Sequence, residues 1–251
     1  MSLILEISNL NYSPPDSDVR ILEDVNLKVE RGAMYGIAGE SGSGKTTLLK
    51  IIAGILTPTE GSVKIGTTKI QLLFQNNEFI INPYRRIDKM IDEAVMLDDK
   101  KSNAELERER IFDLVNFQRA LWNKKGMQLS GGERQKAALA RLLAIKPELL
   151  ILDEPFSAQD LDAQIDLVKL LVKLNKEHGL TILCVAHDLN VLKQFTEKLV
   201  VLYKGKIVEE GLTREVIEKP GHPYTKFLIA AENLKLKPED YLMNKNWSAA
   251  N

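Results

Sequence analysis

The sequence has a single cysteine, Cys184, in 251 residues, and almost no net charge. One cysteine cannot close an internal disulfide and cannot supply the several thiolates of an iron–sulfur or cysteine-based zinc site. It lies in the apolar run TILCV, where a small core residue is expected, and it suits a reducing compartment. Lys and Arg total 34 against 35 for Asp and Glu, so no global positive field draws the protein to nucleic acid or to anionic lipid. Also missing is any run of the roughly 18 to 20 apolar residues that a membrane span requires. The start, MSLILEISN, lacks the basic head and long apolar stretch of a secretory signal. The expectation is a cytosolic chain that, at a membrane, depends on other subunits to cross it.

What is present is strong patterning. Leu3, Leu5 and Ile7 alternate with polar residues, as do Val25, Leu27 and Val29, which predicts half-buried antiparallel strands around a Pro14-Pro15-Asp16 turn. Residues 34–38 form an apolar strand ending at glycine, and the helical spacing of Leu48, Leu49, Ile51, Ile52 and Ile55 follows, with Pro58 as a stop. Residues 62–65 and 69–74 read as a short hairpin turning at Gly66, Thr67 and Thr68. Between about 87 and 123 the chain becomes charged and helical, with Ser102 and Glu105 in capping-box spacing. From 130 onward helices (130–145, 161–177) alternate with apolar strands (149–152, 180–185, 199–203), which implies a parallel sheet with helices on both faces. The end, KPEDYLMNKNWSAAN, reads as a frayed tail.

Two glycine loops carry the chemistry. In GESGSGKTT, Gly39, Gly44, Lys45 and Thr46 satisfy GxxxxGK[ST], after a strand and at the start of a helix, where the motif has meaning. Glycines let successive backbone N–H groups converge on phosphate oxygens, and the helix N-terminus adds its positive end. Lys45 supplies a full charge for the outer phosphates and Thr46 a hydroxyl for Mg²⁺. The strand 149–152 then delivers Asp153 and Glu154 to the sheet edge where such folds bind ligands. Asp153 is placed to hold Mg²⁺ and Glu154 to take a proton from an attacking water. His187, after the strand ending at Val185, can donate to the outer phosphate, and Gln75, after QLLFQ, can hold metal or water.

The second loop is LSGGE. Ser130 and Glu133 form a capping box, which accounts for a well-started helix. It does not account for Gly131 and Gly132, each of which weakens a helix by about 1 kcal/mol relative to alanine. Close approach of another molecule does require them. The loop reads as a second anion site, and with two chains head to tail it would close over a nucleotide cradled by the other chain.

In order, GESGSGKT, FQ, LSGGERQ, LLILDEP, SAQD and VAH resemble the nucleotide-binding subunits of ATP-binding cassette (ABC) transporters, over almost the whole chain. The resemblance implies an α/β fold: a RecA-like P-loop NTPase core with an antiparallel β-subdomain and an inserted α-helical subdomain. One domain, 1–251, is expected, with core at 1–84 and 130–220, helical subdomain at 85–129, and a C-terminal helix and tail at 221–251. It also implies ATP hydrolysis with Mg²⁺ in a dimer. Nucleotide would be held by Gly39, Glu40, Ser41, Gly42, Ser43, Gly44, Lys45, Thr46 and Thr47. Thr46, Gln75 and Asp153 would hold the metal, and Glu154, His187, Lys45 and Gln75 would be catalytic. Ser130, Gly131 and Gly132 would act on the partner's ATP, with Asp160 at the dimer seam. Tyr12 stands where the family places an aromatic ring on adenine; packing on the core is the other reading.

FQNNEFIINPYRRI and GHPYTKFLIAA resemble the peptide and nickel importer branch. Phe79, Ile80 and Ile81 form an apolar patch that either receives a helix of a membrane subunit or packs within the helical subdomain. Three departures stand out: a short interval between Lys45 and Gln75, Gln159 where the family has leucine, and no C-terminal cysteine cluster. The short C-terminus leans toward nickel or metal-chelate members. The implied partners are a second ATPase subunit, integral membrane permease subunits and, indirectly, an extracellular or periplasmic substrate-binding protein, with no nucleic acid, at the cytoplasmic face of the membrane. The rival is a soluble cassette ATPase remodelling ribosome or DNA complexes, which near-neutral charge disfavours.

Overall fold

The structure is a computed structural model that describes residues 2–15, 17–74, 80–98, 103–157 and 159–232. The chain divides into two compact units, residues 1–66 with 183–251, and residues 67–182.

The first unit opens with β1 (Leu3–Tyr12) and β2 (Leu22–Glu30), paired antiparallel as their alternation predicts. On β1, Leu5, Ile7 and Leu10 are buried, and on β2 Val25, Leu27 and Val29 are buried opposite them. β4 (Glu60–Ile65) pairs antiparallel with the other edge of β1. β3 (Met34–Ala38) is buried at every position, as a central strand must be, and pairs in parallel with β8 (Lys198–Tyr203). β9 (Lys206–Leu212) turns back antiparallel on β8, an edge that the alternation of helix and strand did not announce. α1 (Lys45–Ile52) follows β3 and buries Leu48, Leu49, Ile51 and Ile52. Ile55, expected on that helix, lies beyond it and is exposed, because the chain turns at Gly54 with φ 73°. The unit closes with α6 (Leu189–Phe195), α7 (Thr213–Glu218) and α8 (Pro223–Glu232).

The second unit holds β5 (Ile70–Leu73) and β6 (Leu149–Asp153), paired in parallel from Ile70 opposite Leu149. The expected hairpin of residues 62–74 is therefore not formed. β4 belongs to the antiparallel three-stranded sheet and β5 to another, so the Gly66-Thr67-Thr68 turn links two sheets. The physical reason is that β5 finds the apolar run 149–152 of β6 as a partner. α2 (Ile87–Asp98) and α3 (Ala104–Leu114) form the helical segment. The cap of α3 is Asn103, whose side chain accepts from the Leu106 N–H; the Ser102 expected there lies outside the described residues. Arg108, 9% exposed, pairs with Asp92 and so ties α3 to α2, while the rings of Phe117 and Trp122 close on Phe112 at 5.0 and 4.9 Å. α4 (Gly131–Leu143) and α5 (Leu161–His178) complete this unit. β7 (Thr181–Val185) begins in the second unit and ends in the first, with Cys184 buried in it.

Candidate functional site

The phosphate loop leaves β3 at Gly39. Its φ is 152°, and a Cβ there would meet the Leu202 carbonyl oxygen at 2.2 Å and Ser43 Oγ at 2.8 Å, so only glycine fits. Gly44, with φ 104°, caps α1. The loop is braced on β8 and the turn after it, since Gly205 N–H donates to the Ser43 carbonyl at 3.0 Å. Lys45 is 6% exposed, and its ammonium donates to the carbonyls of Gly39 and Glu40, both at 2.8 Å. Glu40, Ser41, Gly42 and Thr46 are exposed around it, and Thr47 is half-buried. Ser43 Oγ is buried with no hydrogen-bond partner among the described residues. An orphaned hydroxyl, a cradle closed to any side chain and a charged ammonium held on two carbonyls form a donor set that fits a phosphate chain.

His187 follows Ala186, whose N–H donates to the Ile37 carbonyl at 3.3 Å, two residues short of Gly39. His187 is exposed. The next residue, Asp188, caps α6 by accepting from the N–H groups of Asn190 and Val191 at 2.8 and 3.1 Å. Burial would push the Asp188 carboxyl up, yet a hydrogen bond from Glu232, those two N–H groups and the nearby His187 hold it below its ordinary value. Tyr12 is 7% exposed and stands opposite Leu22 in the β1–β2 register. That is the core-packing reading of the two, and little of the ring remains open to a base.

In the second unit Ser130 and Glu133 make the predicted capping box. Ser130 Oγ accepts from Glu133 N–H at 3.3 Å, and the Glu133 carboxylate accepts from Ser130 N–H at 2.8 Å. Ser130, Gly131 and Gly132 are all exposed. A Cβ added at either glycine would meet nothing within 4 Å among the described residues, so their packing does not require glycine there. Asp153, the last residue of β6, is 4% exposed. Glu154 then takes φ 49°, a left-handed conformation that non-glycine residues rarely adopt. The turn is held by Ser157, whose N–H and hydroxyl donate to the Glu154 carbonyl at 3.3 and 2.9 Å. Asp160 caps α5 by accepting from Ala163 N–H at 2.8 Å. Gln75, Phe79 and the metal role proposed for Gln75 lie outside the described residues. Of the apolar patch, Ile81 is 1% exposed and sits where a Cβ on Gly126 would strike it, which is packing within the second unit.

Gln135 escaped the reading of the sequence. It is 8% exposed on α4, its amide donates to the Pro155 carbonyl at 2.6 Å, and it accepts from the Gln159 amide. The helix opened by LSGGE is thus tied to the turn after Asp153 and to Gln159, the departure from leucine noted above. No spacing rule singles out a buried glutamine in the run ERQKAA.

The ABC transporter family profile matches residues 22–157. The chain is 34% identical over 216 residues to the probable D,D-dipeptide transport ATP-binding protein DdpF of Escherichia coli, covering 84% of this chain and 70% of that protein. To the oligopeptide transport ATP-binding protein OppF of Bacillus subtilis it is 32% identical over 263 residues, covering 96% and 86%. Among solved structures, the ATP-binding cassette MJ0796, dimeric and bound to ADP and Pi, superposes with a TM-score of 0.75 at 28% identity, over 84% of this chain and 99% of that one. CbiO1 of Clostridium perfringens gives 0.79 at 25% identity, over 97% and 100%. The fold is the RecA-like α/β fold of ABC ATPases, and the chain belongs to the ABC transporter family as one of its ATP-binding cassettes.

Proposed function

We propose that the protein hydrolyses ATP as the energising subunit of an importer whose cargo is a short peptide. The phosphate loop carries the first part: a cradle that excludes any Cβ at Gly39 and holds the Lys45 ammonium on two carbonyls. Peptide is favoured over nickel because the relatives named above are dipeptide and oligopeptide transport proteins.

Residues 39–47 hold the phosphates, with Lys45 moving from its two carbonyls to the outer phosphate oxygens. Mg²⁺, which keeps several waters and needs only one or two carboxylates beside the phosphates, would be held by Thr46, Asp153 and Gln75 and would neutralise charge on the phosphates. Water attacks the γ-phosphorus, its proton passes to Glu154, and the bond to the β–γ bridging oxygen breaks to leave ADP and inorganic phosphate. His187 donates to the outer phosphate as charge develops.

Ser130, Gly131 and Gly132 act on the ATP of a second cassette, with Asp160 at the seam between the two. The open space beside both glycines supports this, since no described residue comes close enough to require them. No described helix is long and apolar enough to cross a membrane. By its likeness to the transport ATP-binding proteins named above, the cassette would work on permease subunits at the cytoplasmic face of the membrane, with a substrate-binding protein upstream.

Glu154→Gln is expected to lower ATP turnover by about 10²- to 10⁴-fold, the range for a lost general base, while ATP binding persists. A phosphate-release assay beside a nucleotide-binding titration measures both. Turnover at the wild-type rate would refute the assignment of the base.

A further inference from the structure

Helix α8 begins in the segment GHPYT, and polar side chains fix its first turn. The carboxylate of Glu209 on β9 accepts from the N–H groups of Gly221 and His222 at 2.7 and 2.9 Å. His222 Nδ1 accepts from Tyr224 N–H at 3.1 Å and so satisfies a donor that the helix start would leave open. These bonds fix Tyr224, which is fully buried. Its ring stacks on Tyr203, the last residue of β8, with centroids 4.0 Å apart. Burial pushes the Tyr224 phenol up to about 12, so the group is a neutral hydroxyl throughout the physiological range.

The hydroxyl accepts from Glu40 N–H at 2.8 Å, joining positions 184 residues apart in the sequence. That N–H belongs to the same peptide unit as the Gly39 carbonyl, one of the two oxygens on which the Lys45 ammonium rests. A peptide unit is planar, so fixing the direction of its N–H fixes the direction of its C=O. The following carbonyl, that of Glu40, is the second acceptor for Lys45. When Lys45 moves to a phosphate, the Tyr224 hydroxyl still holds the peptide.

We propose that Tyr224 is a positioning residue for nucleotide binding, whose hydroxyl sets the tilt of the Gly39–Glu40 peptide and with it the mouth of the phosphate loop. The inference rests on the reading of that loop as the ATP site. Helix α8 is then part of the ATP site's frame, and displacing it loosens the loop without touching any group that meets nucleotide.

The test is Tyr224→Phe, which keeps the ring, its burial and its stacking and removes one oxygen. Tyr35→Phe is the matched control: Tyr35 is also fully buried, and its hydroxyl donates to the Lys28 carbonyl at 2.9 Å, away from the loop. Both changes remove hydroxyl bonding from a buried ring, Tyr35→Phe also taking an acceptor from Lys198, and both should lower Tm. Only Tyr224→Phe should weaken ATP binding, by about 5- to 10-fold, as expected for one hydrogen bond to a partly buried N–H. KM for ATP should rise by the same factor while kcat changes less than about twofold. An ATP Kd for Tyr224→Phe within about twofold of wild type overturns the positioning role. So does an equal loss of affinity in Tyr35→Phe, which would mark the effect as general loosening. If wild-type protein itself binds no ATP, the reading of the site fails first, and that outcome is distinct from either.

Discussion

The two glycine loops of this chain look alike as sequence and differ in what compels them. At Gly39 the chain itself demands glycine, because φ is 152° and a carbonyl oxygen stands 2.2 Å from where a Cβ would be. At Gly131 and Gly132 nothing in the described chain stands within 4 Å of such an atom. A glycine forced by its own fold speaks of a cradle already shaped. A glycine that its own fold does not require, at a cost of about 1 kcal/mol to the helix, speaks of a surface shaped for something else. The first loop is accordingly braced from behind by β8 and α8. The second is a capped helix start with its tip bare.

Alanine substitution separates the two cases. The largest effect is expected from Gly39→Ala, which combines a backbone conformation hostile to alanine with a clash against main chain. Stability should fall by about 3 kcal/mol and ATP binding should be lost. A thermal melt and a nucleotide titration measure this, and normal binding would mean that the loop adjusts freely. Gly132→Ala should do the reverse to the isolated subunit, leaving Tm unchanged or raising it, by up to about 1 kcal/mol of stability. ATP turnover, however, should drop by on the order of tenfold, through the close approach that the added methyl blocks. Unaltered turnover would leave the second loop without a function and erase the contrast.

The sequence was most readable where local chemistry fixes the backbone. GESGSGKTT between an apolar strand and a helix, the Ser130–Glu133 box and the apolar β6 running into Asp153 need only near neighbours to be interpreted, and each element lies within a few residues of its expected bounds. It was least readable where distant segments decide. Residues 62–74 look like a hairpin until β1 and β6 are present to claim the two strands separately. Tyr12 is an aromatic on a strand in either reading, and only its burial favours the core. The left-handed turn at Glu154 and the buried amide of Gln135 leave no mark in periodicity. Tyr224 was visible as part of a motif, but its bond to Glu40 depends on a helix returning from the far end of the chain.

That same helix offers the smallest test of whether the first unit braces its own loops. At its other end, Glu232 accepts from the Asn190 N–H and side-chain amide at 3.0 and 2.9 Å, beside Asp188 and one turn past His187. Burial, reinforced by the hydrogen bond and charge of Asp188, pushes the Glu232 carboxyl up to about 7. A carboxyl raised in the folded state stabilises it fully below its ordinary value near 4.5 and loses that contribution as pH climbs through about 7. Asp188 is shifted the other way, so its contribution is present above its ordinary value and absent only in acid, and the pair shares one proton near neutrality. Both groups are partly exposed, which reduces the effect to about 1 kcal/mol, or roughly 2 to 4 °C of Tm between pH 6 and pH 8. Glu232→Gln keeps a donor toward Asp188 and an acceptor toward Asn190 at every pH. Its Tm should therefore hold level over that interval while the wild-type Tm declines; a parallel decline in both would place the pH dependence elsewhere, and α8 would brace the phosphate loop alone.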